Sequence, residues 1–341
     1  MEVMTPDPHP LGARLPRMPS RLQSRRERRL PIAHFRLQKP PAQRGAILAW
    51  SRAKLIRAAP SPGEDMETAT HMLRTGRRGT LFEFHMALRD LRASGDRLGL
   101  AWSLASHDVV SRYRGSILGP FWITLSMGLM VLGIGVVYAK IFAIPINEFL
   151  PLIALGIVFF GTISGMINEG CETFVHAAKM LSQTSLPMFT FVWRTVLRNL
   201  INLMHHLVIV VAVLVIYGYW RTADVPMFLI GAVFLVLNAS WISMLAGIAS
   251  ARFRDIPQVV TSVMQFAMFV TPVFWPVNRL GKHVVLAANP FYHMLEAVRA
   301  PLMGGHVASS SYVVLTLMAL IGWGVTFSIF AVTRRRIVHY L

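Results

Sequence analysis

The sequence predicts an all-α integral membrane protein. Six transmembrane helices are expected, with an amphipathic interface helix before them and re-entrant helices before the last span. Three observations predict this. Ile117 to Ala139 runs 23 residues without a charged side chain, and a helix needs roughly 20 apolar residues to cross a hydrocarbon core about 30 Å thick. The 341-residue chain is 54% hydrophobic and only 15% charged, too apolar for an ordinary soluble domain. Lys and Arg gather at alternate ends of the apolar stretches, as they do in cytoplasmic loops.

Taken in order, residues 1–65 are basic and rich in Pro and Arg, as in RLQSRRERRLP and LQKPPAQRG. With no periodicity to build a packed face, this tail is expected to be disordered. Met66, Met72 and Met86 offer later translational starts, so the alternative is a false N-terminal extension. Met1 to Ala46 lacks the apolar core of a cleavable signal, and the first span is expected to act as its own insertion signal. Residues 81–113 are expected to form a helical segment at the membrane surface. Within it Leu98, Trp102, Ala105, Val109 and Tyr113 recur at helical spacing, placing Trp102 at the headgroups. A soluble helix packed on a cytoplasmic partner fits the same pattern.

The transmembrane domain is expected over 117–333. Its spans are placed at about 117–139, 149–168, 199–220, 225–251, 256–278 and 312–333. Between the last two, VVLAANPF and YHMLEAVRAPLMGG are each too short to cross and are punctuated by Pro290, Pro301, Gly304 and Gly305. Such pieces suggest re-entrant or interfacial helices. Residues 334–341 form a basic C-terminus. Arg112 and Arg114, then Lys179, Arg194 and Arg198, then Arg252 and Arg254, then Arg334 to Arg336 fall on one side. The other side carries Lys140, Arg221, Arg279, Lys282 and Arg299. Both termini are therefore expected in the cytoplasm.

The net charge of +18 fits a surface facing anionic lipid rather than nucleic acid, given the spans. Cys171 is the one cysteine, which excludes an intrachain disulfide and a cysteine-based metal site. No phosphate-cradling G-x-x-x-x-G-K-[ST] loop is present, so a pump built on this chain needs its ATPase on another polypeptide. H-E-x-x-H and G-x-S-x-G are missing as well. His205 and His206 could relay protons, or be hydrogen-bonded inside the bundle. Glu169, Glu172 and His176 line one helical face at i, i+3 and i+7. They could hold a metal, end the helix in water or pair with Lys179. Scarce intramembrane charge argues against an ion-driven transporter. No catalytic, cofactor-binding or metal-ligating residue is assigned. Phe121, Trp122, Tyr138, Phe142, Phe159, Phe160, Phe274, Trp275 and Tyr292 suit either interfacial belts or a conduit wall on which sugar rings stack. The loop 173–187 is a connector or a stiff helix able to receive force from a motor subunit.

Four stretches resemble ABC-2 type permeases. SHDVVSRYRGSILGPFWITLSMGLMVLGIGVVYAKIF (106–142) resembles the family's entry into its first membrane helix. Its Arg112, Tyr113, Arg114, Leu118, Gly119 and Trp122 match the pattern of Arg-Tyr-basic, Leu-Gly and an aromatic. SLPMFTFVWRTVLRNLINLMHH (185–206) is similar to the passage into span 3, and ARFRDIPQVVTSVMQFAMFVTPVFWP (251–276) to the passage into span 5. NPFYHMLEAVRAPLMG (289–304) is similar to the re-entrant region, and with TPVFWP it looks most like the branch exporting O-antigen and capsular polysaccharides. The resemblance covers about 90–336.

It implies a half-channel. Two copies form the pathway, and two copies of a separate ATPase, which carries the ATP and Mg, bind below. The chain itself needs no cofactor. Trp102, Arg112, Tyr113 and Arg114 belong to the interface helix and the membrane entry that follows it. His176, Lys179, Met180, Leu181, Gln183 and Pro187, in the span 2–3 loop, contact the ATPase. The cargo is lipid-linked polysaccharide, and the location the bacterial inner membrane. A drug-efflux permease of the same superfamily and an integral-membrane lipid or sugar enzyme are the alternatives.

Overall fold

The structure, a computed structural model, describes residues 79–277 and 284–340. The tail expected over 1–65, and Arg279 and Lys282, lie outside the described residues. All regular structure among the described residues is helical. The helices are α1 (Thr80–Gly95), α2 (Leu98–Arg112), α3 (Phe121–Phe142), α4 (Ile146–Gln183), α5 (Phe189–Ile216), α6 (Val225–Arg252), α7 (Ile256–Val270), α8 (Val284–Ala288), α9 (Pro290–Leu302) and α10 (Ser309–Tyr340), with a 3-10 turn at Tyr219–Arg221. Five of them, α3, α4, α5, α6 and α10, are long and apolar enough to cross a bilayer.

α4 is the central post. Its apolar window is 78% buried, against 22–39% for the other four. It packs on α3, α5, α6, α7 and α9. α4 and α6 meet through small residues: a Cβ on Gly170 would fall 2.7 Å from the Ser243 Cα, and one on Gly247 would fall 2.7 Å from the Gly170 carbonyl oxygen. Small residues let helix backbones approach where lipid supplies no hydrophobic drive for association. A second core, built from Ala87, Phe174, Phe189, Met244 and Phe330, ties α1, α4, α5, α6 and α10 together. It lies at the end where α4 finishes and α5 begins, called here the basic end.

Several boundaries differ from the expectation. At 38 residues, α4 is about 57 Å long at 1.5 Å per residue, roughly twice the hydrocarbon thickness. The segment 173–187 is therefore mostly helix, continuous with the span. α5 begins at Phe189 rather than 199, because Arg194 and Arg198 are paired by acids and need not leave the helix. Residues 334–340 continue α10, with Arg334 paired to Asp90 at 3.5 Å and Arg335 to Glu83 at 3.3 Å on α1.

The span expected over 256–278 stops at Val270, after 15 residues, or about 22 Å. Pro272 disfavours the helical conformation in the residue before it, and Thr271 is extended at φ −81°, ψ 139°. The chain then turns, and α9 wedges between α4 and α6. Phe291 meets Phe160 edge-on at 6.2 Å, and a Cβ at Gly231 would overlap the Ala297 carbonyl. The Pro301 carbonyl accepts from the Asp224 amide at 2.9 Å, tying the end of α9 to the start of α6. Asn289 caps α9 through the amides of Phe291 (2.9 Å) and Tyr292 (3.4 Å), and reaches Thr271 Oγ1 at 3.0 Å.

Candidate functional site

At the basic end α2 lies along α5, burying Ala101, Ala105 and Val109. Small side chains recurring every fourth residue allow the close fit. Trp102, at the edge of this stripe, is 54% exposed. The buried stripe therefore runs through Ala101, and not through Leu98 and Trp102.

α2 also carries Asp108, which grips α5. Arg194 donates two hydrogen bonds to it, Nε to Oδ2 at 2.7 Å and Nη2 to Oδ1 at 2.6 Å. Arg198, one turn on, donates to Asp108 Oδ2 at 3.3 Å and through Nε to Glu169 Oε2 at 2.8 Å. Asn199 donates to the same Glu169 oxygen at 2.7 Å. Arg112 pairs with Glu169 Oε1 at 3.6 Å. Two acids and three arginines thus chain α2, α4 and α5 together. Burial pushes the Asp108 carboxyl up, but the hydrogen bonds and charges of Arg194 and Arg198 outweigh it and hold the group below its ordinary value. Beside the chain lies a cavity of about 400 Å³ lined by Ser111, Thr173, His176, Phe191 and Thr195 as well as Asp108, Arg112, Arg194 and Arg198.

The α4–α5 turn is clamped from below. Asp90 of α1 accepts from the amides of Met188 (3.3 Å) and Phe189 (3.1 Å), supplying the N-terminus of α5 with a carboxylate. Burial raises the Asp90 carboxyl above its usual value, and the two amides and Arg334 offset this only incompletely. Sequence reasoning passes over both aspartates. The available signal, for Asp108, is two arginines four residues apart on an otherwise apolar helix, which demand acids from neighbours.

The residues expected to meet an ATPase divide. His176, Lys179 and Gln183 are exposed and, at i, i+3 and i+7, share one face of the α4 tail. Met180 is half-buried, Leu181 packs against the second core, and Pro187 is buried in the turn. Arg112 closes α2 as its last residue, with Tyr113 and Arg114 in the turn after it. Glu169 spends both oxygens on α2 and α5, leaving Glu172 and His176 as an exposed pair at 3.6 Å. Among the described residues no three His, Cys, Asp or Glu are grouped to hold a metal. His205 turns Nδ1 to the Ile201 carbonyl at 2.8 Å, and its own carbonyl accepts from Thr124 Oγ1 at 3.1 Å.

The aromatic candidates also divide. Phe159 and Phe160 are 1% and 2% exposed, packed on Phe228 and Phe291 inside the bundle. Tyr138, Phe142 and Phe274 form a run of rings 5.8–6.2 Å apart on the α3 side, continued by Phe269 at 6.3 Å from Phe274. Trp275 donates to the Phe269 carbonyl at 3.1 Å. Phe121 and Trp122 are exposed at the start of α3, and Tyr292 is half-buried on α9. Between α3, α4 and α7 lies a groove of about 410 Å³. Its lining mixes Met127, Met130, Met264 and Met268 with Ser164, Asn168, Thr261 and Gln265. On α7, Gln258, Ser262 and Gln265 are exposed at i, i+4 and i+7. Phe266 and Phe269, which sequence reasoning misses, are 70% and 66% exposed beside them.

The family model for the ABC-2 type transporter matches residues 100–303. The O-antigen export system permease protein RfbA of Myxococcus xanthus is 23% identical over 210 residues, covering 59% of this chain and 79% of that protein. The matched region runs from α2 to the end of α9, across the ion-paired helices, the α7 turn and the α9 wedge, and the chain belongs to the ABC-2 type transporter family.

Proposed function

We propose that this chain is the permease subunit of an ABC exporter moving lipid-linked polysaccharide, of O-antigen or capsule type, across the bacterial inner membrane. Two copies enclose the pathway, and two copies of a separate ATPase, with ATP and Mg²⁺, drive it from the cytoplasm. Both termini are cytoplasmic. The short α7 and the turn after it serve as a sixth span, and α8 and α9 dip back in as re-entrant helices toward the exit.

The observation that carries the reading is the α4 tail. It extends well past a membrane's thickness, offers His176, Lys179 and Gln183 on one face, and is locked to α2 and α5 by the Asp108–Glu169 chain. A push on it reaches three helices as one body. A ligand or motor shifts a two-state protein only by binding its states differently, and nucleotide-dependent docking on this face provides that difference. The polysaccharide cargo is supported by the RfbA relative and by exposed rings beside the polar α7 stripe. Sugars stack on such rings, while hydroxyls and amides hydrogen-bond weakly enough to let a polymer advance. The methionine-rich groove favours a second reading, efflux of a small apolar molecule.

Co-expression with the ATPase encoded beside the gene tests the proposal. A stable complex is expected whose ATP hydrolysis loses its dependence on the permease when His176, Lys179 and Gln183 are changed to Ala together. Failure of any ATPase to bind overturns the exporter reading. A coupled complex that carries dyes and not lipid-linked polymer into vesicles establishes the second.

A further inference from the structure

The run Arg334-Arg335-Arg336 at the end of α10 has the usual look of a topology signal, but its three side chains have different fates. Successive helical residues point about 100° apart. Arg334 and Arg335 turn to α1, where Asp90 and Glu83 receive them. Arg336 turns the other way, into a groove between α6 and α10, and makes no ion pair among the described residues. Arg252, in the last turn of α6, faces the same groove. Its guanidinium lies over the rings of Phe253 (5.3 Å) and Tyr340 (5.5 Å) and donates to Tyr340 Oη at 3.1 Å. Among the described residues this one hydrogen bond leaves most of its five donors unused.

The groove holds about 260 Å³, and none of the described residues lining it is acidic. It is amphipathic along its length. Arg252, Arg336, Thr333 and Tyr340 lie at the basic end, while Leu245, Ile248 and Ile329 line a stretch nearer the middle of the two helices, a turn or two along them. From Leu245 to Arg252 the rise is about 10 Å, so the aliphatic floor begins within one to two helical turns of the arginines.

We propose that the α6–α10 groove binds an anionic phospholipid of the leaflet at the basic end. Arg252 and Arg336 hold the phosphate from two sides, Tyr340 hydrogen-bonds the headgroup, and one acyl chain lies along Leu245, Ile248 and Ile329. Charge complementarity names the occupant: two arginines with no acid among the described lining residues, set at the helix ends over an aliphatic floor, match a basic interhelical pocket for acidic lipid. A zwitterionic lipid would leave that charge uncompensated. The site is separate from the α4 tail and does not depend on the cargo assigned above.

The full chain, exchanged in detergent with equal amounts of phosphatidylglycerol and phosphatidylcholine, is measured by native mass spectrometry. A retained phosphatidylglycerol is expected, and Arg252→Gln with Arg336→Gln should lower its affinity about 25-fold, from roughly fivefold per arginine. Arg221→Gln, an exposed arginine at the opposite end, should leave it unchanged. Unaltered lipid preference in the double variant overturns the site. So does an equal loss in Arg221→Gln, which would reflect diffuse surface charge. Displacement of the lipid by millimolar inorganic phosphate would overturn it in favour of a free-anion site. Displacement by the partner ATPase, lost in the double variant, would assign the groove to a protein surface instead.

Discussion

Asp108 and Asp90 are both carboxylates held against α5, yet their surroundings push them in opposite directions. Asp108 has two arginines and its carboxyl is held down. Asp90 is deeper, with a single arginine 3.5 Å away, and its carboxyl is raised. The folded pKa of Asp108 lies below the unfolded one, so its contribution is present above about pH 4 and lost as pH falls through the folded value. Asp90 has the reverse sign. Its contribution is present below the unfolded value and lost as pH rises through the folded one, so its ionised form is carried at the expense of stability. Asp108→Asn should therefore destabilise the α2–α5 contact by about 2 kcal/mol, the scale of a charge-assisted bidentate pair. A thermal melt in detergent at pH 7 reads this as a lowered midpoint. Asp90→Asn, which keeps one acceptor oxygen and sheds the burial penalty, should change the midpoint little. Asp90→Ala removes both acceptors from the α5 N-terminus and should lose about 1–2 kcal/mol. If the Asn variant melts lower than the Ala variant, the cap carries no weight. Neither aspartate marks itself in sequence, because a single acid on a mixed-polarity helix carries no mark of its partner; only Arg194 and Arg198 call for the acid that Asp108 supplies.

At the scale of elements, apolar length is legible and helix ends are not. The span at 225–252 can be drawn almost to the residue and that at 121–142 to within about a turn, because their flanks hold glycine, proline and charge. The α4 tail reads as a loop because Glu169, Glu172 and Lys179 interrupt its hydropathy, although helix continues wherever backbone hydrogen bonding and neighbours allow. The α7 stop is hidden in an apolar run, where Pro272 alone carries the signal. Two substitutions separate packing from composition. Gly170→Leu drives a side chain into the Ser243 backbone and should destabilise by several kcal/mol through overpacking, seen as loss of monodisperse protein on size exclusion. Gly161→Ala, nine residues earlier on the same helix, meets nothing within 4 Å and should be neutral or slightly stabilising, since Ala favours helix by about 1 kcal/mol over Gly. Equal behaviour of the two would mean that α4 and α6 do not cross closely in the membrane.

For the whole molecule, the telling feature is what α7 leaves uncovered. Most helices that are poorly buried here show aliphatic side chains outward, as lipid requires. α7 shows Gln258, Ser262 and Gln265 in a row, next to a groove floored by Asn168 and Thr261. Polar side chains at membrane depth face protein or a water-filled cavity rather than acyl chains. The α3–α7 face is therefore expected to meet a second copy across the pathway, while α6 faces outward to lipid. Cys171 is buried and is the one cysteine in the chain, so Cys171→Ser gives a background in which single cysteines report position. Phe269 on α7 and Val233 on α6 are equally exposed, 66% each, and lie on different faces of the bundle. In native membranes a short bis-maleimide should convert Phe269→Cys to a covalent dimer and leave Val233→Cys monomeric. Cross-linking at Val233 and not at Phe269 would put the second copy on α6 and leave the glutamine stripe of α7 facing lipid, which its chemistry does not permit without another partner.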